Sequence, residues 1–451
     1  MHKSTALLTD MYELTMLEST LKSGAANRAS VFEVFCRRLP SGRRYGVVAG
    51  TGRILEDLLD FRFTDEELDY LRQSRIVSEE TIDWLADYRF AGDIYGYREG
   101  ECFFPNSPIL TVTGTFAEAV LLETLILSIL NHDAAVAAAA SRMTIAAHGR
   151  PCLEMGARRT HERAAVSAAR AAVVGGFAGT SVLEAGRTYG VRAIGTAAHS
   201  FTLVHDTEED AFAAQIETMG PGTTLLVDTF DVEQGVVRAV AAARAAGGEL
   251  GAVRLDSGDL VAQAFTVRKQ LDDLGATSTK ITVTSDLDEY AIAALGAAPV
   301  DSYGVGTKLV TGSGFPTAEL VYKLVAREDS EGAIKEVAKR SKSKASHGGL
   351  KVAGRVLDET GVAREELIVS CQSWEQGRAA LEERGARPLQ VPLVLGGEIQ
   401  AHDSVQEAAQ HHVASRNELP YQAWRLSDGE PAIPSTMIDI FPGDDRVYDG
   451  T

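Results

Sequence analysis

Val191-Arg192-Ala193-Ile194-Gly195-Thr196-Ala197-Ala198-His199-Ser200 joins a short apolar run to small residues and a histidine. It reads as a strand end opening into a loop. A histidine there is placed to react rather than to pack. Short apolar runs and helical patterns alternate around it from Pro151 on. The candidate strands are Cys152 to Met155, Val173 to Phe177, Arg192 to Gly195, Thr224 to Val227, Leu250 to Leu255, Ile281 to Thr284 and Ser302 to Val305. The candidate helices are Glu162 to Ala172, Thr180 to Tyr189, Glu208 to Thr218, Val232 to Ala246, Leu260 to Leu274 and Leu287 to Leu295. Units of roughly thirty residues are what parallel βα crossovers need. Seven in a row, with no nucleotide fingerprint opening the first, favour an irregular TIM-like barrel over an open doubly wound sheet. The expected class is α/β, with a seven-stranded βα barrel at its centre.

In such a barrel the chemistry sits at the carboxyl ends of the strands. Those ends read Arg158-Arg159, Gly179-Thr180-Ser181, Thr196 to Ser200, Asp228-Thr229-Phe230-Asp231, Arg254 to Asp259, Ser285-Asp286 and Gly304-Val305-Gly306-Thr307. Arg254 on an emerging strand can fork onto a carboxylate. Asp256, two residues on, shares its side and either holds Arg254 or meets a ribose hydroxyl. The plainer reading is a structural ion pair, with Asp259 capping the next helix. Gly304 and Gly306 bracket a turn whose N–H groups can face a phosphate, or that needs glycine for tightness alone. Ser285-Asp286 can donate to phosphate or cap a helix starting at Leu287, and the two roles are compatible. His199 is open to three roles: base, metal ligand or nucleophile. His205, six residues on, is its only nearby partner for a metal, so no protein metal cluster is expected.

The chain has 451 residues and a net charge of −19. It can bury a large core, and its charge argues against a surface built to grip nucleic acid. Cys36, Cys102, Cys152 and Cys371 are dispersed, as in a reduced cytoplasmic protein. The run Ala119 to Leu130 carries Glu123 and Thr124 and is too short for a membrane span. No signal peptide is apparent. Before the barrel the pattern predicts a helix over Thr9 to Leu21, capped by Thr9 or Asp10. A strand is expected over Val31 to Cys36, short helices over Thr64 to Arg72 and Ser78 to Asp87, and strands between Asp93 and Thr115. A long buried helical region should run from Phe116 to about Ala147. After Val310 comes a basic stretch with Lys335, Lys339, Arg340, Lys342, Lys344 and Lys351, then a tail expected to pack back on the N-terminal layer.

Together these stretches resemble the nicotinate phosphoribosyltransferase family. The resemblance is carried by Leu8-Thr9-Asp10-Met11-Tyr12-Glu13-Leu14-Thr15-Met16, Phe32-Glu33-Val34-Phe35 and Leu122-Glu123-Thr124. It continues through Gly156-Ala157-Arg158-Arg159, Gly175 to Ser181, Gly195 to Ser200, Arg254 to Leu260 and Gly304 to Thr307. It implies a type II phosphoribosyltransferase fold. Residues 1–150 would form an α/β open-faced sandwich with 330–451 packed on it. Residues 151–330 would be the catalytic barrel, and 331–451 the basic loop and C-terminal segment. It implies that nicotinate, phosphoribosyl pyrophosphate, ATP and water give nicotinate mononucleotide, pyrophosphate, ADP and phosphate, with Mg²⁺. His199 would be the phosphorylated residue and Asp256 would steady the ribose. Tyr12 and Thr196 would touch nicotinate, and Arg254 would grip its carboxylate. Arg158 and Arg159 would meet the pyrophosphate or nicotinate end. Gly304, Gly306 and Thr307 would hold the 5′-phosphate. Ser181, Ser200, Ser257, Gly258, Ser285 and Asp286 complete the implied binding set. The family pairs as homodimers, with the Tyr12-type residue reaching the partner's barrel; it implies a cytoplasmic enzyme with no membrane or nucleic-acid partner.

Three positions depart from the family pattern. Ala197 precedes Ala198 where methionine or leucine is common. Thr284-Ser285-Asp286 stands for Ser-Gly-Asp or Ser-Asn-Asp, and Gly348 replaces a proline. Nicotinamide phosphoribosyltransferase shares the fold but is associated with an aspartate where this chain has Ser181. Quinolinate phosphoribosyltransferases are shorter and lack the ATP-linked histidine. A non-catalytic binding protein on a decayed scaffold is the rival of another class, and seven polar strand ends argue against it.

Overall fold

A computed structural model describes residues 4–339 and 347–440, and the backbone of the strand Val447–Tyr448. The chain divides into two compact units, Met1–Ala138 with Phe315–Thr451, and Ala139–Gly314.

The first unit is built on a seven-stranded antiparallel sheet. Its order is Ile334–Glu336, Leu320–Glu328, Ala29–Cys36, Leu110–Thr115, Asp93–Tyr97, Gln390–Leu395 and Glu398–Ile399. Phe32, Val34, Ile94 and Val112 alternate inward from these strands. They meet Ile54, Leu55 and Leu122 in one core cluster. A second sheet holds Ala386–Pro388, Leu350–Leu357, Ala363–Cys371, Ser435–Asp439 and Val447–Tyr448.

The first helix runs Met11–Ser23, starting and ending two residues later than expected. Asp10 is its N-cap by backbone geometry, without a side-chain bond. Thr64 closes a capping box with Glu67 on the helix Asp65–Ser74, as such a pair should. The helix Thr51–Asp60 was not expected; it starts at Gly50 with φ 102 and without a side-chain cap, so no N-cap signal marks it.

The apolar run Phe116–Ala146 is long and apolar enough to cross a membrane by composition, but 67% of its apolar window is buried inside the fold. Leu121, Leu122, Ile126, Ile129 and Leu130 all sit in the core. The run is a core element, interrupted between Val120 and Glu123.

The second unit carries a six-stranded parallel sheet in the order Gly179–Thr180, Cys152–Glu154, Ser302–Val305, Lys280–Ser285, Ala252–Leu255 and Thr224–Leu226. The expected strand Val173–Phe177 is not one. The helix Glu162–Val174 runs into it, and the chain turns at Gly176 with φ 103. Alanines at 165, 168, 169, 171 and 172 are buried along that helix, and Val174 extends its buried face. The real strand is the pair Gly179–Thr180, so the next helix starts at Leu183 rather than Thr180. Arg192–Gly195 is also corrected: only Ala193 makes a bridge, to Thr180. Gly190 in the left-handed region and the loop from Gly195 leave it no length to form a strand. Seven strands thus reduce to six and one bridge.

Candidate active site

Side chains from opposite edges of the parallel sheet bond to each other, so the sheet curls. Ala193 lies beyond one edge and Thr224–Leu226 forms the other. Yet His199, just after Ala193, shares a hydrogen bond of 3.1 Å between Nδ1 and Thr229 Oγ1. Arg254, one strand in from the far edge, donates to Thr196 Oγ1 at 3.1 Å and to the Ala197 carbonyl at 3.2 Å.

His199 opens a five-residue helix, His199–Leu203, rather than standing in a loop; Ala198 precedes it without a side-chain cap. Its Nε2 lies 3.9 Å from Asp228 Oδ1 and 3.9 Å from Asp256 Oδ2. The imidazole therefore sits between one hydroxyl and two carboxylates. Its side chain is 40% exposed, so a ligand can reach it.

Asp228 is a strand-end residue to which the sequence assigned no role. Its side chain is 2% exposed. Oδ2 accepts from the Asp256 N–H at 2.8 Å and from Ser257 Oγ at 3.1 Å. Oδ1 is buried with no hydrogen-bond partner among the described residues. A buried carboxylate oxygen left open costs free energy unless something charged meets it. Asp228 and Thr229 follow the strand Thr224–Leu226, so their position was visible at the strand end although their roles were not.

Asp256 Oδ1 accepts from the Thr284 hydroxyl. Arg254 is held by the loop before His199 instead of by Asp256. Burial lowers the Arg254 guanidinium from the usual arginine range; Asp256 and Asp228 oppose this and Arg158 adds to it by like charge. Its Nε is buried without a partner among the described residues. Asp259 caps the helix Leu260–Asp273, accepting from Ala262 N–H at 3.1 Å. Gly258 has φ 85, which requires glycine in this turn.

The other strand-end residues follow strands of the same sheet. Arg158 and Arg159 are exposed on the single turn Ala157–Arg159. Ser181 is half-buried after Gly179–Thr180, and Ser200 is exposed beside His199. Gly304 packs so closely that a Cβ would lie 2.7 Å from Met155 Sδ. Gly306 precedes the short helix Thr307–Val310, and Thr307 is half-buried. Ser285 and Asp286 are exposed, and they do not cap the following helix. Asp288 does, accepting from Tyr290 N–H at 3.0 Å and Ala291 N–H at 2.8 Å.

His205 Nδ1 shares a 2.8 Å bond with the Phe201 carbonyl. No group of three potential metal ligands occurs among the described residues. Tyr12 belongs to the other unit, where it is 43% exposed on its helix. Burial and the neighbouring Glu123 raise its phenol well above the usual range. In the basic stretch, Lys351 is buried against Glu33 at 3.0 Å and is no part of a free loop. Lys335 and Lys339 are exposed, while Arg340, Lys342 and Lys344 lie outside the described residues.

A family profile described as the nicotinate phosphoribosyltransferase N-terminal domain matches residues 7–131. The nicotinate phosphoribosyltransferase pncB1 of Mycobacterium tuberculosis is 55% identical, over 96% of this chain and 95% of that protein. The nicotinate phosphoribosyltransferase of Bacillus subtilis is 38% identical, over 79% of this chain and 74% of that protein. Human nicotinic acid phosphoribosyltransferase shares the fold with a TM-score of 0.79, covering 95% of this chain and 97% of that one at 23% identity.

Proposed function

The chain belongs to the nicotinate phosphoribosyltransferase family, and on that premise we propose that it couples ATP hydrolysis to the transfer of phosphoribose onto nicotinate, with His199 as the transiently phosphorylated group. One observation carries this reading: His199, Asp228, Thr229, Asp256, Arg254 and Thr196 converge at one end of one sheet.

Arg254 is pinned by Thr196 and the Ala197 carbonyl, which fixes its guanidinium at the strand end for a ligand carboxylate. An arginine fork is the group that recognises such a planar anion. Gripping the carboxylate orients the nicotinate ring nitrogen toward C1 of the ribose. The nitrogen attacks, the C1–oxygen bond breaks, and pyrophosphate carries off the electron pair. The transition state has oxocarbenium character, so the site needs carboxylates near the sugar and donors near the leaving group rather than a strong base. Asp256, fixed by Thr284, suits the first task; Arg158 and Arg159 suit the second. Gly304, Gly306 and Thr307 suit the 5′-phosphate.

His199 has an open face and a hydroxyl on Nδ1. In this reading Nε2 takes the γ-phosphoryl of ATP, and water later releases it as phosphate. Asp228 Oδ1 and Asp256 Oδ2 fit Mg²⁺, which characteristically takes one or two carboxylates together with substrate phosphates. Bound there, the ion would neutralise phosphate charge. In the same reading the curled sheet is the family's catalytic barrel, and the enzyme is a cytoplasmic homodimer. The exposed Leu8, Met11 and Tyr12 suit contact with a second copy.

The test is purified protein with ATP, phosphoribosyl pyrophosphate and either nicotinate or nicotinamide. Nicotinate mononucleotide with matched ADP release is expected. Its absence overturns the reading, and faster turnover of nicotinamide reassigns the substrate. With γ-labelled ATP, wild type should gain an acid-labile label. His199→Ala should lack it while keeping slow ATP-independent transfer; persistence of the label removes His199 from the role.

A further inference from the structure

Glu154 is fully buried, 0% exposed, at the end of the strand Cys152–Glu154. Its carboxylate accepts from the Gly156 N–H and the Thr180 hydroxyl. Thr180 Oγ1 in turn accepts from the Val182 N–H at 3.0 Å. The Ser181 N–H meets the Glu154 carbonyl at 2.8 Å and also favours the ionised carboxylate. Thr180 closes the strand Gly179–Thr180, and the other donors come from strand-end loops. One loop carries Arg158 and Arg159, the other Ser181.

The third neighbour is just as close. Val305 pairs with Glu154 across the sheet. A Cβ on Gly156 would stand 3.0 Å from Glu154 Oε1 and 3.1 Å from the Gly306 carbonyl. The carboxylate thus lies where three loops meet. A core position filled for packing alone would be apolar, because burying a carboxylate costs free energy unless it is hydrogen-bonded. Here the bonds run sideways into the loops, and charge-assisted bonds of this kind fix geometry as well as energy. Burial raises the Glu154 carboxyl from its usual range, and the Thr180, Gly156 and Ser181 donors pull against that shift.

We propose that Glu154 is a positioning residue for the pyrophosphate subsite: its carboxylate ties the Arg158–Arg159 turn to the Thr180–Ser181 loop, so that their donors converge on the leaving group. The proposal deepens the functional reading above and rests on its assignment of these loops to phosphoribosyl pyrophosphate. Glu154 itself touches no substrate. Removing its charge should loosen the arginine turn without emptying the core.

The probe is inorganic pyrophosphate, titrated calorimetrically into the full chain as wild type, Glu154→Gln, Thr180→Val and Thr180→Ser. Losing a charge-assisted bond costs about 1.5–3 kcal/mol, or roughly 10- to 100-fold in affinity. Glu154→Gln and Thr180→Val should weaken pyrophosphate by about that factor, while Thr180→Ser, which keeps the hydroxyl, stays near wild type. Unliganded melting temperatures are read alongside. If Glu154→Gln does not fold, the threonine pair decides. Variants that melt early but bind pyrophosphate as wild type does overturn the proposal, as does a wild type that does not bind it. Turnover is measured separately: a wild type that binds pyrophosphate but makes no nicotinate mononucleotide fails the functional reading and leaves the clamp standing.

Discussion

At the scale of single residues, the site is a set of side chains each held by something other than its ligand. Thr284 holds Asp256, Thr196 holds Arg254, and Asp228 holds the Asp256–Ser257 backbone and hydroxyl. Arg254→Ala removes the charged donor and leaves the strand Ala252–Leu255 in place. A charged hydrogen bond contributes about 1.5–3 kcal/mol. The KM for nicotinate should therefore rise roughly 10- to 100-fold, while the KM for phosphoribosyl pyrophosphate changes less. Equal rises in both constants would mean that Arg254 does not distinguish the acid substrate. Asp228→Asn tests the open carboxylate oxygen. It keeps the size of the side chain but gives Oδ1 or Oδ2 a donor in place of an acceptor. Dependence of turnover on Mg²⁺ concentration should shift to higher concentrations. An unshifted Mg²⁺ curve would place the ion elsewhere.

At the scale of elements, strand contact sets the geometry of the site. Thr284 and Gly304 are paired across neighbouring strands. A Cβ at 304 would meet Thr284 Cγ2 and lie 2.7 Å from Met155 Sδ. Met155 can bend away, but Thr284 is β-branched and stiff, and its hydroxyl fixes Asp256. Gly304→Ala should cost about 1–3 kcal/mol by overpacking. It should also lower kcat, because Asp256 loses its anchor. Calorimetry showing an unchanged melting temperature would mean that the strands separate freely. This pairing also explains what the sequence made legible. The strands at 224, 252, 280 and 302 were readable because each is an apolar run bounded by polar or glycine residues. Their polar ends announced Arg254, Asp256 and Thr307. Val173–Val174 misled because β-branched residues in a buried alanine-rich helix look like strand formers. Asp228 Oδ1 and Glu154 stayed hidden because their importance lies in burial and in which loops they join, and spacing carries neither.

At the scale of the molecule, the first unit is closed by charge as well as by its apolar core. Arg355 is 0% exposed. It donates to Glu101 Oε1 at 2.8 Å, to the Cys102 carbonyl at 2.6 Å and to Glu366 Oε2 at 3.0 Å. Arg387 and His411 also reach Glu101, at 3.1 Å and 2.9 Å. The network joins residues near 100 to segments more than 250 positions later. Arg355→Ala would leave the buried Glu366 without a cation, while Glu101 keeps Arg387 and His411, and should cost about 3–5 kcal/mol. His412 lies beside this network, buried, with Nδ1 2.9 Å from the Gly100 carbonyl. Burial, then Arg416, pulls its imidazole down to about 4, against about 6.5 when unfolded. Between those values the unfolded chain binds the extra proton, so stability is complete above pH ~6.5 and falls with acid by up to about 1.4 kcal/mol per pH unit. Glu101 is held below the usual carboxylate range by His411, Arg355 and Arg387 in spite of its burial, so its contribution is lost only at still lower pH. Urea unfolding from pH 7 to pH 4 should give a slope that flattens in His412→Gln within the pH 4–6.5 window. If the variant loses stability as steeply as wild type there, the acid sensitivity belongs to other groups and His412 is a packing residue alone.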